Sequence, residues 1–161
     1  MQEVEPNNTP STAQVISPAL YPTGAVAIDG FIAPDGALNG IDFFAFDLLA
    51  GDFVAVSVFD DTPAIDDNDP LLGIFGPDGL LFASDDDSGP GLLPSFSFVV
   101  PTSGRWAFAV TGFGDHPTFN GSHDEAFAYK FVFAINPVPA PSAAAIGALA
   151  GAALLRRRRS A

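Results

Sequence analysis

The sequence predicts an all-β protein, a sandwich or barrel of short antiparallel strands. Three observations carry that prediction. Turn formers are abundant, with 16 Gly and 15 Pro among 161 residues, and both types break helices and punctuate turns. Of the 19 acidic side chains 16 are Asp, which competes for its own backbone amides and so favours turns over helix interiors. The apolar residues, 16 Phe together with many Val and Ile, fall in short alternating runs separated by turn residues. The spacing is about 8 to 12 positions, as in sandwiches and barrels.

Taken in order, residues 1–12 (MQEVEPNNTPST) are a polar, proline-broken lead-in. They lack the basic n-region and apolar h-region of a secretory signal, so either export is absent or its leader lies outside this sequence. Strands are expected near 13–17, 25–32, 42–49, 52–60, 71–75, 80–84, 95–100, 105–113 and 127–136. Alternation assigns their faces. Phe44, Phe46 and Leu48 share one face and Asp47 the other, and Val54, Val56 and Val58 repeat the period. Trp106, Phe108 and Val110 behave likewise, as do Tyr129, Phe131, Phe133 and Ile135, with Lys130 turned the other way. Gly76-Pro77-Asp78-Gly79 is a hairpin turn, with Pro presetting φ and Gly relieving the left-handed position. No helix longer than a turn is expected before the tail.

Composition sets further bounds. With 48% hydrophobic residues, a body of roughly 140 residues buries on the order of two thirds of its unfolded surface, so one domain folds without obligatory metal clips. The absence of Cys excludes disulfides, thiol catalysis, iron–sulfur clusters and thiolate zinc sites. Four of the six bases are Arg156 to Arg159, which leaves residues 1–141 with Arg105 and Lys130 against 19 acids, a net charge of −17. A surface of that sign repels a phosphate backbone, so no nucleic-acid partner is expected.

The tail, residues 137–161, reads as a separate module. Pro137 to Pro141 (PVPAP) is a stiff extended linker, Ala143 to Leu155 is an unbroken run of 13 small or apolar residues, and four arginines follow. As a short apolar C-terminal helix the run would span about 20 Å, against roughly 30 Å for a hydrocarbon core, so it is a marginal permanent anchor. The arginines belong on the cytoplasmic side, which places the acidic body outside the cytoplasm. Val138, Pro139, Ala140, Pro141 and Ser142, the apolar run, and Arg156, Arg157, Arg158 and Arg159 together resemble the PEP-CTERM sorting signal of Gram-negative bacteria. Ala140 stands where that family usually has Glu. The resemblance implies an exosortase-like processing enzyme as a partner, transient inner-membrane insertion by the tail, and release to or display at the cell surface.

A second resemblance spans residues 3 to about 136. Glu3-Val4-Glu5-Pro6-Asn7-Asn8-Thr9 followed by Ala13 is similar to the opening of the bacterial pre-peptidase C-terminal (PPC) domain. Ile41-Asp42-Phe43-Phe44-Ala45-Phe46, Leu49-Ala50-Gly51-Asp52 and Ser103-Gly104-Arg105-Trp106 agree in order with that family's later segments. The resemblance implies a jelly-roll-like antiparallel β-sandwich over 13–136 and, by residue, a Ca²⁺ site from Glu3, Glu5, Asn7, Asn8, Asn39 and Asp42. Ca²⁺ takes six to eight hard oxygens, which that set supplies, although Gly40 stands where the family often has an Asp.

Two further acid clusters, Asp66, Asp67 and Asp69 in AIDDNDP and Asp85, Asp86 and Asp87 in ASDDDSG, lie in expected loops. Neither fits an EF-hand loop, because Gly is missing from its sixth position and no Glu closes it. They are solvated loop acids or, since adjacent carboxylates repel and a cation relieves that repulsion, a weaker second Ca²⁺ site that Asp60 and Asp61 could join.

Enzyme readings find little support. Ser122-His123-Asp124 holds the residue types of a catalytic triad, but triads assemble in space and chain neighbours point apart. The G-x-S-x-G elbow is missing, His116 and His123 lack zinc-protease spacing, and no P-loop lysine exists. The expectation is an exported non-catalytic surface or matrix module that binds polysaccharide or protein; the alternative is the non-catalytic part of a secreted peptidase or other hydrolase.

Overall fold

The computed structural model describes residues 1–21, 24–34, 39–61 and 68–137. These residues form nine strands and two one-turn 3₁₀ helices: β1 (Gln14–Val15), β2 (Ala25–Ile32), β3 (Ile41–Leu48), β4 (Phe53–Asp60), β5 (Pro70–Phe75), β6 (Leu81–Asp85), β7 (Ser95–Val99), β8 (Gly104–Gly112) and β9 (Phe127–Asn136), with 3₁₀ turns at Pro18–Leu20 and Phe113–Asp115. Each strand falls on a run that the apolar alternation marks.

The strands form two facing sheets, ordered β1-β3-β8-β5-β6 and β2-β9-β4-β7. Pairing is antiparallel except where β1 joins β3, with Gln14 opposite Phe44. From β2 onward every connection but the β5–β6 hairpin crosses between sheets, as in double-sheet jelly rolls. That hairpin is the Gly76–Gly79 turn: Gly79 donates its N–H to Gly76 at 2.9 Å and takes φ +77°, a conformation that costs glycine nothing.

The core lies between the sheets. Phe44, Phe46, Val54, Val56, Val58, Phe108, Val110, Tyr129, Phe131 and Phe133 are all buried there, on the faces their alternation assigns. Aromatic rings mesh across the gap: Phe46 stacks on Phe133 with centroids 3.9 Å apart and meets Phe108 edge-on at 5.5 Å. Such offset and edge contacts suit the ring quadrupole and add about 0.5–1.5 kcal/mol each beyond area burial. Trp106 is buried with its polar atom satisfied, Nε1 donating to Thr102 O at 3.0 Å.

The five-stranded sheet is covered on its outer face as well. Ile41, Phe43, Leu71, Ala109 and Phe119 form a second cluster there, so β3 buries both faces apart from Asp47. Phe119 caps it from the 113–126 connection, and Gly73 makes room, since a Cβ there would stand 2.4 Å from the Phe119 ring.

The opening residues are part of the fold. Gln2 bridges Asp29 in parallel fashion, Glu3 N donates to Asp29 O at 2.9 Å, and Phe43 N donates to Asn7 O at 2.8 Å. The segment thus crosses from the edge of one sheet to the other. At the opposite end of the sandwich β9 delivers the chain to Pro137; residues 138–161, including the sorting motif, the apolar run and the arginines, lie outside the described residues.

Candidate functional site

Where the opening segment spans the two sheets, it gathers acids over a buried tyrosine. β9 places Tyr129 with its hydroxyl under the segment, and its partner across the ladder is Gly30 of β2. A Cβ on Gly30 would stand 2.3 Å from Tyr129 Cζ and 2.5 Å from Glu3 Oε2, so glycine is what lets phenol and carboxyl meet. Tyr129 Oη lies 2.6 Å from Asp42 Oδ2 and 3.1 Å from Glu3 Oε2, while Glu3 Oε1 accepts the Phe31 N–H at 3.1 Å. One phenolic hydrogen cannot serve both the buried Asp42 carboxyl and the half-buried Glu3 carboxyl, so the cluster calls for a further proton or a cation.

Asn7 locks the other side. It is fully buried, its N–H donates to Glu5 Oε2 at 2.9 Å, and its amide, turned with Nδ2 toward the acids, donates to Glu5 Oε2 and Asp42 Oδ1, each at 2.9 Å. Asn8 Nδ2 donates to Ile41 O at 3.2 Å, and Asn39 Nδ2 donates to Phe31 O. Asn39 Oδ1 is buried and has no partner. A groove of about 480 Å³, lined by Glu5, Pro6, Asn8 and Asn39, opens at this point.

The electrostatics follow from the geometry. Burial pushes the Asp42 carboxyl up to about 9, with the hydrogen bond to Glu3 and the charges of Glu3 and Glu5 adding to it and the Tyr129 hydroxyl opposing. The Tyr129 phenol is raised by burial first and then by Asp42 and Glu3. All six residues singled out from the sequence, Glu3, Glu5, Asn7, Asn8, Asn39 and Asp42, therefore lie at this junction. Their oxygens match the chemistry of a hard cation, and the orphaned Asn39 oxygen beside an open groove fits one. Among the described residues no three acidic or histidine side chains already converge on one ligating point.

Gly40 has no room for a side chain. Its Cβ would stand 2.5 Å from Gly121 O, and its carbonyl receives Thr111 Oγ1 at 2.9 Å and lies 2.7 Å from His123 Nε2. The other nitrogen of that ring, Nδ1, accepts the Glu125 N–H at 3.2 Å. With both nitrogens engaged by backbone, the buried His123 fastens the 113–126 connection and is unavailable to Ser122 or Asp124 as a base. Asp115 organises the same connection, its buried carboxylate accepting from Thr111, Thr118, Asn120 N and Gly121 N at 2.8–3.1 Å.

The two loop clusters are partly brought together. Asp69 is raised first by burial and then by the charges of Asp86 and Asp87, whereas Asp85 turns away to accept Ser95 N at 2.6 Å. Asp66 and Asp67 lie outside the described residues. Glu125, which no spacing in the sequence links to this group, joins it by accepting Asp69 N at 3.1 Å.

No family model and no curated protein matches the chain. Among solved structures, the pre-peptidase C-terminal domain of a collagenase from Bacillus anthracis aligns over 81% of this chain and all of that one, at a TM-score of 0.54 and 13% identity. PliG from Aeromonas hydrophila, a periplasmic inhibitor of g-type lysozyme, aligns over 77% of this chain and 96% of its own, at 0.49 and 13%. The Salmonella Typhimurium PliG aligns over 70% and 88%, at 0.44 and 20%. The chain thus has a PPC-like fold.

Proposed function

We propose that this chain is a non-catalytic binding module of an exported protein, stabilised by Ca²⁺ at the junction of its opening segment with the two sheets. The observation that carries the reading is the cluster of buried Asp42 and Tyr129 with half-buried Glu3, closed by Asn7 and Glu5. Glu3, Glu5, Asn8, Asn39 and Asp42 would hold the ion. Bound there, it would supply the positive charge that lets Asp42 ionise beside Glu3 and Glu5. The residues' own part is to tie the first eight residues across the sandwich, so the N-terminal segment is fixed to both sheets.

The rest of the reading draws on the tail and the fold. The VPAPS motif, apolar run and arginines support sorting to the cell surface by an exosortase-like enzyme, and the PPC-like fold supports an extracellular polysaccharide or protein as ligand, while the strongly acidic body disfavours nucleic acid. A second reading, the accessory part of a secreted hydrolase, is favoured by the likeness to a collagenase domain.

Thermal melting tests the calcium site. An ion that binds only the folded state adds about 2.7 kcal/mol at one hundred times its Kd, or roughly 5 to 10 °C in melting temperature for a domain this size. Millimolar Ca²⁺ should raise the melting temperature over EDTA by that order, Mg²⁺ should do much less, and Glu3→Gln with Glu5→Gln should abolish the shift. Equal melting in Ca²⁺ and EDTA removes the site; a shift that survives the double change moves it to Asp69, Asp86 and Asp87.

A further inference from the structure

Pro137 leaves the domain on a continuous face made of loops. Asn136 pairs with Phe53, which pairs on its other side with Val99. The turns that follow are bonded together, Gly51 N donating to Val100 O and Ala50 N to Ser103 Oγ, both at 2.8 Å. Pro77 of the β5–β6 turn packs against Gly104, where a Cβ would come within 2.7 Å, and the 3₁₀ turn near Tyr21 borders the groove that Leu49 and Pro137 share.

This face is apolar and carries little charge. Leu20, Leu49, Leu80 and Val99 are 52%, 58%, 68% and 60% exposed, with Phe53 and Phe82 half-exposed at the rim. Among the described residues its acids are Asp47, Asp52 and Asp78. Asp47 is paired with Arg105 at 3.0 Å, Asp52 is buried and accepts Leu49 N, and Asp78 accepts Leu80 N. The far end also exposes Phe31, Phe59 and Phe113, but it shares that end with the opening acids, Asp60, Asp61, Asp69, Asp86, Asp87 and Glu125. Charge, more than apolar exposure, separates the two ends.

We propose that the Pro137 face rests on a lipid bilayer while the tail is inserted, an inference that depends on reading residues 137–161 as a membrane-directed sorting signal. Two features select a bilayer as the occupant. Only Val138 to Ser142 separate Pro137 from the apolar run Ala143 to Leu155, and five extended residues reach about 16 Å, which holds the face near the membrane surface. An anionic leaflet repels a body of net −17 least when the acids point away. The ten residues of β9 set the two ends about 30 Å apart, several times the roughly 8 Å Debye length at physiological salt.

The chain has no cysteine, so a single reporter thiol can be placed at will. Full-length protein carrying Leu80→Cys, Val99→Cys or Asp86→Cys, labelled with an environment-sensitive fluorophore, is reconstituted into phosphatidylcholine vesicles holding lipid spin-labelled near the headgroup. Labels at 80 and 99 should be quenched severalfold more than the label at 86, with emission shifted to the blue. Equally weak quenching at all three positions in protein that floats with the vesicles overturns the proposal and leaves the tail reading standing, whether water, a second copy or a protein partner covers the face. Protein that does not float with the vesicles overturns the tail reading and the proposal with it.

Discussion

Asp42 is a buried carboxyl beside two other acids, and its burial sets a pH dependence with a definite sign. Its folded value of about 9 lies above the ordinary 3.8, so between those values the folded state binds one more proton than the unfolded chain. Stability contributed by that proton is complete below about pH 4 and is lost as pH rises through the window, by at most about 1.4 kcal/mol per pH unit for one group. In EDTA, denaturant unfolding should therefore show falling stability from pH 5 to 9. Asp42→Asn, which keeps the shape and removes the titrating proton, should flatten that slope and raise stability at pH 8. Gly30 supports the same cluster. Gly30→Ala drives a methyl into Tyr129 and Glu3 and should cost about 1–3 kcal/mol, read as a lower urea midpoint at unchanged m-value. The sequence made Glu3, Glu5 and Asp42 legible through a family resemblance, but not Tyr129, which alternation marks only as core. Nor did it mark Glu125, because its partner Asp69 is 56 residues away and no local period connects them.

At the scale of elements, strands were legible and loops were not. β4 and β9 alternate large buried residues with smaller or more exposed ones along most of their length, and a one-residue slip would turn every core residue outward, so pattern fixes both strand and facing. The 113–126 connection has no such period. It reads as a solvated loop in sequence, yet it covers the outer face of β3, β8 and β5 through Phe119, held by Asp115 and His123. Its order comes from one carboxylate accepting several donors, which composition cannot reveal. Asp115→Ala leaves buried donors unsatisfied and should cost about 3 kcal/mol. The amides of Asn120 and Gly121 should then lose protection from hydrogen exchange before the strands do. The opening segment likewise reads as a polar lead-in, and only the fold shows its hydrogen bonds to Asp29 on one sheet and Phe43 on the other.

The molecule as a whole is polarised. One end carries the exit of the tail among Leu49, Leu80 and Val99; the other carries the opening segment and most of the negative charge. Between them the aromatic core is continuous, so Phe46→Ala, which removes a ring stacked on Phe133, should cost about 3–5 kcal/mol, whereas Phe82→Ala at the exposed rim should cost well under half of that, both read by urea unfolding. The central claim is that Asp42, buried beside the acids of the opening segment, takes either a proton or a cation. Calorimetric titration of Ca²⁺ into the metal-free protein at pH 7.5, repeated in two buffers of different ionisation enthalpy, measures that exchange directly. Binding accompanied by release of about one proton per ion, and lost in Asp42→Asn, is the predicted result. Heat that does not depend on the buffer, or no binding at millimolar Ca²⁺, would contradict it.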